Sequence, residues 1–155
     1  MKNKKLNIDL KAFAANIVVD AFGYEEMITK NAMRYVEDYS NQLNVAANKV
    51  QLLIKPSDRL SYHLIASDHF NKPIGLEELT SFFTGDQVLK TDPICKRVEN
   101  GINSFIEDYC KKWQFDRNQT SFYISVDNKQ LFIKAYLNDK NIDQIAIKSI
   151  IKFLF

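Results

Sequence analysis

The chain of 155 residues reads as an α+β domain. The expected architecture is a duplicated helix–helix–hairpin module whose strands form a four-stranded antiparallel sheet covered by helices, with a helix at the C-terminal end. Three observations predict it. Apolar residues recur at intervals of three and four between Glu25 and Leu43, the spacing of one helical face. Alternating runs come in two close pairs, each separated by a turn-forming stretch. The third is a period: VEDYSNQL (Val36–Leu43) returns seventy residues later as IEDYCKKW (Ile106–Trp113).

The period continues past that phrase. At a shift of seventy, Tyr35 meets Phe105, Asn48 meets Asn118, Leu52 meets Phe122 and Ile54 meets Ile124. After the turn Asp127-Asn128-Lys129 the shift becomes seventy-one, and Leu60, Tyr62, Leu64, Ile74, Leu79 and Phe82 meet Leu131, Ile133, Ala135, Ile145, Ile150 and Phe153. A hydrophobic phase kept over that length is the signature of an internal repeat. The expected units span residues 9–68 and 74–139 of a single domain, followed by a terminal helix, 141–155.

Taken in order, Asp9 is placed to cap a helix running to about Phe22, with Gly23 as its C′ residue. A second helix covers Glu25 to Leu43, with Ile28, Ala32, Tyr35, Val36 and Tyr39 on one face. Val50–Lys55 and Leu60–Ala66 form a hairpin around Pro-Ser-Asp-Arg. Pro73 is positioned to open a third helix that Gly85 closes, and Asp92-Pro93 to open a fourth that reaches Phe115. Thr120–Val126 and Gln130–Leu137 form the second hairpin. Asn141 and Gln144 resemble a capping box for the terminal helix, although the ending also alternates as a strand would.

Composition narrows the function. Forty-six per cent hydrophobic and 26% charged residues suit one packed core, and only 4 glycines and 3 prolines argue against a flexible linker. Lysine exceeds arginine, and asparagine and isoleucine are frequent, which points to an AT-rich bacterial or phage genome. A net charge of +2 lacks the basic stripe of a DNA-binding domain. Asp9 and Lys11 interrupt the apolar run after the basic opening, so no export signal is read, and no run is long enough to cross a membrane. Cys95 and Cys110 share one expected helix, about 22 Å apart at its rise. They are too distant to bridge, so free thiols in the cytoplasm are expected.

No motif for catalysis, a cofactor or a metal stands out. His63 falls in mid-strand on the face away from Tyr62 and Leu64, and His69 follows Asp68 in a loop. Neither accompanies a recognisable nucleophile. The recurring Glu-Asp-Tyr has a structural explanation, since its Tyr lies on the buried helical face and its Glu on the solvated side. Two such acidic pairs would make a poor cation site, because neighbouring helical residues diverge by about 100°.

One feature points to binding. The outer sheet face carries Gln51, Leu53, Ser61, His63 and Ile65 in the first hairpin, but Ser121, Tyr123, Ser125, Phe132, Lys134 and Tyr136 in the second. Aromatics and a lysine on a sheet surface suit a protein contact or the stacking of single-stranded nucleic acid. The expectation is a non-enzymatic cytoplasmic interaction or assembly protein, of the kind that serves as an inhibitor or immunity-type factor. A protein partner or self-association ranks first, single-stranded nucleic acid second, and an enzyme with an unrecognised site third. No cofactor, metal or membrane partner is expected.

Overall fold

Among the described residues, six antiparallel strands form the sheet, two more than the sequence pattern implied. The computed structural model describes residues 21–67 and 69–154. Its elements are α1 (Ala21–Leu43), β1 (Val50–Pro56), β2 (Leu60–Ala66), β3 (Phe70–Ile74), α2 (Leu76–Thr84), α3 (Pro93–Trp113), β4 (Thr120–Asp127), β5 (Gln130–Leu137), β6 (Lys140–Ala146) and α4 (Lys148–Leu154). Single 3-10 turns precede β1 and β4, at Ala47–Lys49 and Arg117–Gln119. The recurring unit is therefore helix, three-stranded meander, helix. The helix expected from Asp9 lies outside the described residues except for its last two positions. Those belong to α1, so Gly23 sits inside a helix and ends none.

Local chemistry accounts for most boundaries. Asp92 accepts a hydrogen bond from the Ile94 amide at 3.0 Å, and Pro93 occupies the first helical position of α3. The helices α1 and α3 both run into left-handed residues, Asn44 (φ 56) and Gln114 (φ 59), seventy positions apart. Gly85 ends α2 at φ 80, a conformation that penalises any residue with a Cβ.

Two elements depart from expectation. Pro73 lies in β3 and does not open a helix; α2 begins after Gly75. Asn141 and Gln144 lie in β6 and do not cap a helix, so the terminal helix is confined to Lys148–Leu154. Both strands are sheet edges. An edge strand has one ladder neighbour, so it tolerates a proline and polar residues on both faces.

The strand order is β3-β2-β1-β4-β5-β6. At its centre Leu53 pairs with Tyr123, and the flanking pairs are Leu52–Ile124 and Ile54–Phe122. Residues seventy apart thus face each other at the middle pair and exchange places beside it. A local two-fold through Leu53 and Tyr123 swaps β1 with β4, β2 with β5 and β3 with β6. The hairpins agree: Val50 pairs with Ala66 as Thr120 pairs with Leu137, and Tyr62 pairs with Ile74 as Ile133 pairs with Ile145.

The described helices cover one face, where Leu52, Ile54, Phe122 and Ile124 point into the core with Phe82, Phe83 and Ile102. Phe105 and Tyr109 stand edge-on to Phe122 at 5.7 and 5.6 Å between ring centres. Gly101 lets α3 approach α4 closely, since a Cβ there would run into the Phe153 carbonyl oxygen. No helix among the described residues is long and apolar enough to cross a membrane.

Candidate functional site

Strand parity sends every second side chain away from the helices. One row across that outer face reads Pro73, His63, Leu53, Tyr123, Lys134, Gln144, and the next reads Asn71, Ile65, Gln51, Ser125, Phe132, Ala146. At about 4.8 Å between strands, each row spans about 24 Å. None of the described helices lies over it.

The four residues singled out from sequence come together here. Tyr123 pairs with Lys134, and its ring meets that of Tyr136 at 5.0 Å in an edge-on arrangement. Phe132 stands opposite Ser125, and Tyr136 opposite Ser121. Both serines are buried, Ser125 only 2% exposed with its Oγ lacking a hydrogen-bond partner among the described residues. Leu53 is buried as well, yet outside the main core. Burial, followed by the nearby Tyr136 and Asp139, pushes the Tyr123 phenol above its ordinary range. At neutral pH it is an uncharged ring with a hydroxyl that can donate or accept.

Parity also sorts the charges. Lys134 points outward in mid-sheet, whereas Lys55 and Asp127 lie near the hairpin ends. Asp143, on β6, faces the helices and accepts from the Tyr109 hydroxyl at 3.0 Å. The face is therefore aromatic and amide-rich with a slight positive bias. Sequence reasoning missed the contributions of β3 and β6 (Asn71, Pro73, Gln144 and Ala146), because neither strand alternates clearly.

The other candidates are dispersed. His63 Nδ1 lies 2.9 Å from Asn71 Oδ1, a cross-strand contact to an amide and not to a carboxylate. His69 is exposed in the β2–β3 turn. Cys95 and Cys110 are free and buried, and burial pushes both thiols up, away from the reactive thiolate. In the two Glu-Asp-Tyr stretches the acids are exposed, while Tyr39 donates to Glu78 at 3.0 Å and Tyr109 to Asp143. Among the described residues no cluster of three or more His, Cys, Asp or Glu could hold a metal ion.

Comparison with protein-family models finds no match, and neither do searches of curated proteins and of solved structures.

Proposed function

We propose that this chain is a duplicated scaffold whose open sheet face binds a protein partner, without catalysis. The observation that supports the reading is the patch of half-buried aromatics, Tyr123, Tyr136 and Phe132, seated on the sheet with no described helix over it. Tyr and Phe give a large contact area at a small loss of side-chain freedom, which suits the centre of an interface. An inhibitor or immunity-type factor needs only such a surface, since it acts by covering its target.

The test is a double substitution, Tyr123→Ala with Tyr136→Ala. Partners captured from the host, or self-association followed by light scattering, should weaken at least about tenfold, the size of one interface anchor. Unchanged binding by a folded double variant would remove the reading.

A second reading, single-stranded nucleic acid, is favoured by Lys134, which pairs with Tyr123 across the strands and shares its face with Tyr136 two residues on. It requires an affinity that falls steeply with salt, with a slope that flattens in Lys134→Ala.

A further inference from the structure

Away from the open face, the β1–β2 turn and α3 enclose an open cleft of about 680 Å³. Ser57, Asp58 and Arg59 line it from the turn, Glu99 and Asn103 from α3, and Arg117 from the 3-10 turn before β4. Arg117 is oriented by its own neighbours. Its Nη2 donates to Asn103 Oδ1 at 2.9 Å, and its Nη1 lies 3.7 Å from Glu107 Oε2, a long contact. The Nε–H is buried without an acceptor among the described residues. A second buried donor, the Tyr62 hydroxyl, also lacks one. It lies near enough to Glu99 for that carboxylate to add to the effect of burial and push the phenol up. Buried donors are rarely left unpaired.

The other half of the molecule shows that the fold does not need this arrangement. Seventy residues before Glu99, Asn103 and Arg117 stand Thr29, Met33 and Ala47. The same helix, turn and strand are built there without a guanidinium, an amide or a carboxylate.

We propose that the Arg59–Arg117 cleft binds a small molecule through a carboxylate group. A guanidinium edge offers parallel N–H groups that match the two oxygens of a carboxylate. Asp58 and Glu99 on the walls oppose a second negative charge, so a monoanion suits the cleft better than a phosphate dianion. Glu99 is itself within 3.2 Å of Lys96, which leaves the guanidinium groups as the positive partners for a ligand. Arg117 reaches an incoming carboxylate by turning away from its long contact with Glu107, which brings the Nε–H into use.

The experiment is a titration of the intact protein with sodium acetate at ionic strength held constant with sodium chloride, following the arginine Nε–H signals by nuclear magnetic resonance. Arg117→Lys assigns the signal by its loss. The expected result is a saturable shift of the Arg117 signal, with affinity at least about threefold weaker in Arg59→Ser. Arg59 is exposed, so that variant keeps the test decisive should Arg117→Lys fail to fold. A shift no larger than chloride produces, equal affinity in Arg59→Ser, or tighter binding of inorganic phosphate than of acetate would overturn the assignment. None of these results bears on the open sheet face, which lies on the other side of the sheet.

Discussion

The two halves of the molecule, residues 21–84 and 93–154, share an element order and a ladder register, yet differ most on the sheet face turned away from the helices. Core-facing positions stay apolar almost throughout: Leu52 and Phe122, Ile54 and Ile124, Leu60 and Leu131, Tyr62 and Ile133. Outer positions change character, with Leu53, His63 and Ile65 answered by Tyr123, Lys134 and Tyr136. The cause is physical. Both halves contribute to one interior, where a polar or misshapen side chain is penalised whichever half it comes from. The outer face lies away from that shared interior, so its positions in the two halves are freer to diverge.

The largest expected effect tests whether the interior is shared. Phe122 is 1% exposed and packs edge-on to Phe105 and Tyr109. Phe122→Ala should cost about 4 kcal/mol, and Leu52→Ala at the matching position of the first half about 3 kcal/mol. Urea unfolding should remain a single transition in both. Hydrogen exchange in β2, on the unmutated side, should accelerate with Phe122→Ala as much as it does in β5. If the amides of β1 to β3 kept their protection, the halves would be separate units and the comparison would lose its basis.

A middle-sized effect concerns how each half joins its two helices. In the second half the backbones of α3 and α4 meet at Gly101. In the first half the matching residue is Asn31, whose Nδ2 donates to the Phe83 carbonyl at 3.1 Å. One joint depends on the absence of a side chain, the other on the presence of one. Gly101→Val should cost about 2–3 kcal/mol by overpacking against the backbone of Phe153 and Leu154. Asn31→Ala should cost only about 1 kcal/mol, the value of one hydrogen bond. Equal losses in thermal unfolding would show that the two joints are alike.

Much of this was legible in the sequence, and the exceptions share a cause. The hairpins, the Asp92 cap with Pro93, the Gly85 terminus and the shifts of seventy and seventy-one all rest on local chemistry or on burial of a full face. The edge strands rest on neither. In β3 the stretch Asn71-Lys72-Pro73 is exposed, and in β6 most side chains are exposed on both faces. Without a buried face there is no alternation to read, and Pro73 and Asn141 then resemble helix starts. The outer patch was legible because strand parity alone separates Tyr123 from Phe122. The Arg117 cleft was not, because Arg59, Asn103 and Arg117 come from three elements that only the fold brings together.

The smallest effect concerns a hydroxyl present in one half and missing from the other. Tyr35 donates to Glu78 at 2.6 Å, beside the bond from Tyr39, whereas the matching Phe105 has nothing to donate. Tyr35→Phe makes the first half resemble the second and should cost about 1 kcal/mol at neutral pH. The cost should also depend on pH. Burial, and then Glu78, push the Tyr35 phenol far above its ordinary value. A group whose pKa rises on folding adds stability that is complete below its unfolded value, about 10 for a phenol, and fades as the pH climbs beyond it. The wild type should therefore decline more steeply than Tyr35→Phe above about pH 10, and the two stabilities should converge there. A gap that stayed constant to pH 11 in urea unfolding would mean that the phenol proton contributes nothing, and that Phe105 and Tyr35 differ in shape alone.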